Sequence, residues 1–158
     1  MAKGTTKADA RYRRGLRTLK RIHGRAGQNV LDKLAETAPE LSRFVIAFAF
    51  GDIYARPQLS LRERQIATVA SIATLGHSLP QLKSHINGAL NLGIGEAEII
   101  ELLMQMAVYA GFPAAINAVM AASEVFAARG HAGAKATRAP RSPRAGRRSP
   151  ARTRPSRR

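Results

Sequence analysis

Helical spacing of the apolar residues, interrupted by glycine and proline, restricts the fold of this chain more than any other feature of its sequence. In residues 9–23 the apolar side chains fall on one stripe, with arginine and lysine opposite, as in a surface helix. That stripe is formed by Tyr12, Leu16, Leu19 and Ile22. Similar spacing recurs further along the chain, and no run shows the sustained alternation of a strand. The pattern predicts an all-α domain with about six to seven helices.

Capping and turn-forming residues predict where these helices begin and end. Ser60 and Glu63 have the spacing of a capping box, in which each side chain binds the backbone amide of the other residue. The helix that follows is expected to close at Gly76, and the last helix is expected to begin near Pro113. The other predicted breaks lie at Gly24, before Pro39, at Arg56-Pro57, at Gly93 and at Gly111.

Charge is unevenly distributed and separates a central domain from two basic ends. The chain carries a net charge of +16, of which residues 129–158 hold 11 Lys or Arg and no acid. Residues 1–25 hold nine Lys or Arg against one acid, whereas the remainder has six basic and nine acidic residues. We predict a flexible segment at 1–8, a helical domain at 9–129 and a tail at 130–158. The tail is expected to be disordered because it contains almost no large apolar residue.

The basic tail has two interpretations. It could hold the phosphates of nucleic acid by releasing counterions, or it could be a solvated segment with no partner. No aromatic residue is interleaved in the tail for stacking on bases, which favours the second interpretation. Nucleic acid is therefore expected as a partner only through this tail.

The chain contains no cysteine, which excludes disulfides, thiolate metal sites and a cysteine nucleophile. Its four histidines lack the spacing of a metal site, so neither a metal nor another cofactor is expected. The sequence begins without the pattern of a secretory signal, and its longest apolar runs are about half the length of a membrane span. We expect a cytoplasmic protein. Because two helices are apolar almost all round, we also expect a homo-oligomer.

His85 is the residue whose chemistry is most informative. It lies at the edge of a helical apolar stripe formed by Leu79, Leu82, Ile86 and Leu90. A histidine in that position is either a core residue satisfied by a carbonyl or an acid–base group, because imidazole titrates near neutrality. Its position alone favours the structural interpretation.

Four motifs follow one another between residues 51 and 115. They are Gly51-Asp-Ile-Tyr-Ala-Arg-Pro57, Leu59-Ser-Leu-Arg-Glu-Arg64, Gln81-Leu-Lys-Ser-His-Ile-Asn-Gly-Ala-Leu90 and Tyr109-Ala-Gly-Phe-Pro-Ala-Ala115. Their order and spacing closely resemble those of the carboxymuconolactone decarboxylase family. The resemblance covers roughly residues 10–128. It implies the all-helical fold shared with the alkylhydroperoxidase D group, in which homotrimers and homohexamers are usual, and it favours a functional role for His85.

The same superfamily has a redox branch, whose motif is a glutamate followed by Cys-x-x-Cys and then a histidine. By resemblance, Gln65 stands at the glutamate position, the cysteine positions fall near His77 and at Pro80 or Gln81, and His85 is the histidine. Without sulfur the chain cannot be a thiol peroxidase. The resemblance implies instead a cofactor-free decarboxylase of a small anionic, carboxylated lactone-like acid. His85 would deliver a proton or a hydrogen bond to the developing dienolate oxygen.

Other polar residues near the motifs are weaker candidates. The cations nearest the motifs, Arg56, Arg62 and Arg64, could clamp substrate carboxylates, although such side chains are more often solvated or at interfaces. Glu98, Glu101 and Gln105 form one polar line that could orient His85, face a cavity or mark the solvent side. The candidate pocket residues are Arg56, Arg64, Gln65, His77, Glu101 and Tyr109. The competing function is a non-enzymatic oligomeric scaffold whose basic ends bind nucleic acid or another polyanion.

Overall fold

The computed structural model describes residues 7–137, with side chains described for residues 9–130. Within this part the chain forms six α-helices and one π-helical segment, and it contains no strand. The elements are α1 (Lys7–Thr37), α2 (Pro39–Phe44), the π-helical segment (Val45–Ile53), α3 (Leu61–Leu75), α4 (Leu79–Asn91), α5 (Glu96–Ala110) and α6 (Phe112–Thr137). The predicted all-α fold is confirmed. None of these helices combines the length and the apolar character needed to cross a bilayer.

The predicted break at Gly24 is a sharp bend inside α1. Gly24 has φ 58° and ψ −146°, a conformation that strongly favours glycine, and the chain returns to helix immediately after it. The two predicted helices before Pro39 therefore follow each other without a loop. This bend determines how the two halves of α1 lie against the rest of the domain.

The capping box is present as predicted. The Glu63 amide donates to Ser60 Oγ over 3.2 Å, and the Ser60 amide donates to Glu63 Oε2 over 2.6 Å. Gly76 closes α3 with φ 73°, in the left-handed region. The sequence did not predict the π-helical character of residues 45–53, where the Tyr54 amide bonds to the carbonyl of Ala49 over 2.9 Å.

The two ends of the chain fall mostly beyond the described residues. α1 already begins at Lys7, and α6 continues to Thr137, past the predicted domain boundary at 129. The segments 1–6 and 138–158 lie outside the described residues, so the predicted flexible start and disordered tail stay predictions there.

Two apolar clusters form the core, and α4 contacts helices of both. The larger cluster joins α3, α4, α5 and α6, and its fully buried members include Val69, Ile86 and Leu103. The smaller cluster joins α1 to the π-helical segment around Ile22 and Phe50. α4 contacts both α1 and α6, and His85 on α4 contacts His23 on α1.

Candidate functional site

A cavity of about 300 Å³ opens between α1, the π-helical segment and α4. Most of its lining is apolar, and its polar side chains come from histidine, glutamine and serine. The lining residues are Leu19, His23, Gly27, Val30, Leu31, Val45, Phe50, Pro80, Gln81, Ser84 and His85. No charged carboxylate, lysine or arginine is among them. The cavity is therefore of a size to take a small organic molecule and offers it few but specific polar contacts.

Gln65 fixes the orientation of the His85 ring. Gln65 lies on α3, is 0% exposed, and places its Nε2 2.6 Å from the His85 carbonyl oxygen and 3.0 Å from His85 Nδ1. A carbonyl only accepts, so the amide nitrogen must face it, and the second hydrogen of that nitrogen is then available to Nδ1. Nδ1 accepts this bond, which leaves the ring proton of His85 on Nε2.

His23 is a second imidazole in the same cavity. Its side chain is 8% exposed, and its ring lies edge to face with that of His85, with 4.8 Å between the centroids. The ring also contacts Phe50, at 5.7 Å between centroids, and makes a hydrogen bond to the backbone of Ser84. The two histidines thus come from α1 and α4 and meet at one point of the cavity wall.

Burial keeps both imidazoles neutral at pH 7. Burial lowers the pKa of His85 to about 4, and the nearby positive form of His23 lowers it further. Burial also lowers the pKa of His23, against the opposing effect of its hydrogen bond to the Ser84 backbone. The expectation that His85 titrates near neutrality is therefore wrong for the unliganded chain. Its Nε2–H is a neutral hydrogen-bond donor.

Two glycines allow the helices to approach closely around the pair. A Cβ on Gly88 would lie 2.8 Å from Ile22 Cγ2, 3.0 Å from Gln65 Nε2 and 3.1 Å from His23 Cε1. A Cβ on Gly27 would overlap the Cβ of His23. Glycine at these positions therefore lets α1, α3 and α4 bring the two histidines and Gln65 together.

The structure brings some of the predicted site residues together. His85 and Gln65 are hydrogen-bonded. Pro80 and Gln81, one of which occupies a cysteine position of the redox branch by resemblance, line the same cavity as His85. No predicted arginine reaches the cavity lining. Arg56 is exposed, and its carbonyl accepts a bond from Arg64 Nη2 over 3.1 Å.

The remaining candidates lie elsewhere on the domain. His77 is exposed in the turn after α3 and is not among the residues that line the histidine cavity. Glu101 borders a separate surface groove together with Glu98 and Gln105, so this polar line faces a groove but does not orient His85. Tyr109 is 76% exposed on α5 and is not among the residues that line the histidine cavity.

His23 is the site residue that the sequence reasoning missed. It lies outside the four motifs, which extend from residue 51 to residue 115. Its spacing nevertheless carried a signal, since His23 follows Leu19 by four residues and precedes Gly27 by four, on the buried side of α1. Among the described side chains, no three His, Asp or Glu residues are grouped so as to hold a metal ion.

Comparison with known proteins agrees with this architecture. A sequence model described as the carboxymuconolactone decarboxylase family matches residues 39–124, which include Gln65 and His85 but not His23. The chain is 31% identical over 119 residues to 4-carboxymuconolactone decarboxylase of Acinetobacter baylyi, covering 75% of this chain and 88% of that protein.

Two other relatives match shorter stretches. Nitrosuccinic acid decarboxylase of Metarhizium robertsii is 34% identical over 76 residues, covering 48% of this chain and 52% of that protein. An uncharacterized 15.0 kDa protein of Paracoccus denitrificans is 31% identical over 98 residues, covering 61% and 71%. The family match and the relative from Acinetobacter baylyi together show that this chain belongs to the carboxymuconolactone decarboxylase family.

Proposed function

We propose that the protein is a cofactor-independent decarboxylase of a small carboxylated lactone or related acid, similar to 4-carboxymuconolactone decarboxylase, in the catabolism of aromatic compounds. The observation that carries this proposal is the hydrogen bond by which Gln65 orients the ring of His85 at the wall of a largely apolar cavity. Two relatives whose names describe decarboxylases of small acids support the reaction type.

The substrate class accounts for the simplicity of the site. In a carboxylated unsaturated lactone, the electrons of the breaking C–C bond flow through the double bond into the lactone carbonyl. Carbon dioxide leaves, and the resulting dienolate takes one proton on carbon. The protein has to bind the anion, stabilise the negative charge on oxygen and supply that proton. Side chains can perform all three tasks.

His85 is assigned to the developing negative charge on the dienolate oxygen. Its neutral Nε2–H donates a hydrogen bond, and the Gln65 amide prevents the ring from turning or changing tautomer. A donor already oriented in a mostly apolar cavity stabilises such a charge more than water does, because it needs no reorganisation. The rate of the reaction should therefore depend strongly on this nitrogen.

The test is a panel of lactones from aromatic degradation, followed by release of CO2 and loss of ultraviolet absorbance. His85→Gln should lower kcat by about 100-fold or more while the melting temperature stays nearly unchanged. His77→Gln is the matched control, because His77 is exposed and away from the cavity. A wild-type protein that is well folded and inactive on the whole panel would contradict the proposal. A His85→Gln variant with lost stability but retained rate would remove the role of His85.

We also propose that the protein assembles as a homotrimer or homohexamer. An apolar surface on α5 and α6, here called the α5–α6 apolar surface, is formed by Met104, Val108, Tyr109, Phe112, Ile116 and Met120. Each of these side chains is at least 57% exposed in the single chain, which is unusual for a contiguous apolar surface of a monomer. Val108→Asp should reduce the mass measured by light scattering. A monomeric mass for the wild-type protein at micromolar concentration would refute the proposal.

One observation favours the competing scaffold function. Arg13, Arg17, Lys20 and Arg21 form an exposed row on α1, and none of them pairs with a carboxylate among the described side chains. Such a row suits the phosphates of nucleic acid. Replacing all four with glutamine should weaken DNA binding and reduce its salt dependence if this function operates. Equal weak binding by both proteins would exclude it.

A further inference from the structure

The histidine cavity lacks a counterion for the acid that the proposed function assigns to it. No lysine or arginine lines the cavity, and neither Arg56 nor Arg64 reaches it. A carboxylate that entered this apolar space as a bare ion would lose its hydration without gaining an opposite charge, which is costly. The only groups in the lining able to become positive are His23 and His85.

We propose that His23 takes up one proton when the substrate carboxylate binds in the cavity beside the two histidines, and that this proton is later delivered to a carbon of the dienolate. The inference rests on the proposed function for its second half only. The first half, proton-coupled binding of a small carboxylate, stands on the geometry of the cavity.

His85 is poorly placed to take that proton. Protonation would have to occur at Nδ1, which already accepts a hydrogen bond from Gln65 Nε2 at 3.0 Å. Turning the Gln65 amide would free Nδ1 but would place its oxygen against the carbonyl oxygen of His85, where Nε2 now donates over 2.6 Å. Lone pairs of the Gln65 side-chain oxygen and of the His85 carbonyl oxygen would then face each other in a buried site, which is unfavourable. His85 is thus held in the neutral form that donates through Nε2.

His23 has no such restriction. One of its ring nitrogens is used in the hydrogen bond to the backbone of Ser84, and a neutral imidazole then keeps a lone pair on the other nitrogen. The elements packed around His23 contribute apolar side chains, Ser84 and the other histidine, so His85 is the one titratable group in the lining that faces it. A bound carboxylate would be the dominant charge nearby, and it would raise the proton affinity of His23.

The proton balance of the reaction agrees with this assignment. The substrate enters as R–COO⁻ and the cavity gains one H⁺ on His23, so the pair is electrically neutral. When the C–C bond breaks, its electrons move into the conjugated carbonyl, and the dienolate oxygen accepts a bond from His85 Nε2–H. The electrons then return from the oxygen to carbon, and the carbon forms a C–H bond with the proton that His23 releases. The products are R–H and CO2. Both histidines end as neutral as they began.

The binding half can be tested with benzoate, a carboxylate with an apolar ring, and with benzamide, its uncharged counterpart. Calorimetry at pH 6.5 in two buffers of different ionisation enthalpy counts the protons taken up. Wild-type protein should take up close to one proton per benzoate and none with benzamide, and benzoate affinity should rise about tenfold between pH 6.5 and pH 5.5. His77→Gln should behave like the wild type, whereas His23→Gln should lose both effects.

A measurement on the unmodified protein guards against misfolding of the variant. The pKa of His23, followed by the NMR shift of its ring protons, should rise by at least about two pH units when benzoate is added, as an uptake of close to one proton requires. The proposal is overturned by binding without proton uptake, by unchanged uptake in His23→Gln, or by no benzoate binding at pH 5.5, where coupling favours it most.

The two proposals fail in different ways. Proton-coupled benzoate binding by a protein that is inactive on every lactone would leave the His23 assignment in place and remove the decarboxylase. Decarboxylation with a KM independent of pH, and unaffected by His23→Gln, would leave the decarboxylase in place and remove His23 from it.

Discussion

The partly buried imidazole of His85 makes the stability of the domain sensitive to mild acid. An unfolded histidine has a pKa near 6.5, whereas that of His85 in the folded chain is about 4. Between these values the unfolded chain binds a proton that the folded chain does not, so the free energy of unfolding falls as pH falls. The contribution of the neutral His85 to the free energy of unfolding is fully present above pH 6.5 and is lost progressively down to about pH 4.

The size of the loss follows from the two pKa values. The difference between pKa values of 6.5 and about 4 corresponds to a total loss of about 3 kcal/mol in the free energy of unfolding, reached below pH 4. At pH 5 about 2 kcal/mol of this has been lost, and at pH 7.5 almost none. The lowered pKa values of the carboxylates of Asp52, Glu63 and Glu98 have the same sign of effect, but they act mainly below the pH range of histidine.

Urea unfolding followed by circular dichroism at 222 nm would measure the effect in wild type and in His85→Gln. The protein concentration must be held constant, because self-association would add to the apparent stability. Between pH 7.5 and pH 5 the wild-type protein should lose about 2 kcal/mol more than the variant, since His23 and the carboxylates remain in both. Parallel pH dependences in the two proteins would refute the assignment of a buried, neutral His85.

Three further substitutions test the packing and capping described above. Gly88→Ala should lower the free energy of unfolding by about 1–3 kcal/mol in thermal or urea unfolding, because its Cβ would press on Ile22 and on the amide of Gln65. Gly130→Ala, the control, has open space around it and should be neutral or stabilising. Ser60→Ala should cost about 1 kcal/mol through the lost cap, and a loss no larger than that of exposed Ser71→Ala would contradict the capping box. Lys83→Ala removes an exposed ion pair and should change the unfolding free energy by less than about 1 kcal/mol; a larger loss would show that the pair does more than its exposure implies.

Much of the fold could be predicted because its signals are local. The Ser60 cap and the left-handed turn at Gly76 depend on residues adjacent in sequence, and the structure has both where they were expected. The π-helical segment had no such signal, because its apolar residues suit an α-helix equally well. Local sequence signals therefore predict where a helix ends better than they predict whether a segment is α-helical or π-helical.

The site was less accessible to sequence reasoning, because it depends on contacts between distant helices. Gln65 and His85 were identified by resemblance, and they are hydrogen-bonded across 20 residues of sequence. The role of His23 arises only where α1 packs against α4, which helical periodicity does not specify. Arg56 and Arg64 lie within the motifs in sequence, but that position does not bring them into the cavity lining.

The absence of a side chain at Gly27 links the shape of the cavity to the shape of α1. The bend at Gly24 brings the Cβ of His23 to where a Cβ at position 27 would stand. A Cβ is fixed by the backbone, so no rotamer could relieve the overlap, and a larger residue at 27 would have to open the bend. Opening it would shift Val30 and Leu31, which follow the bend and line the cavity. Variation at this one position would therefore change the shape of the cavity while leaving both histidines and Gln65 unaltered in identity.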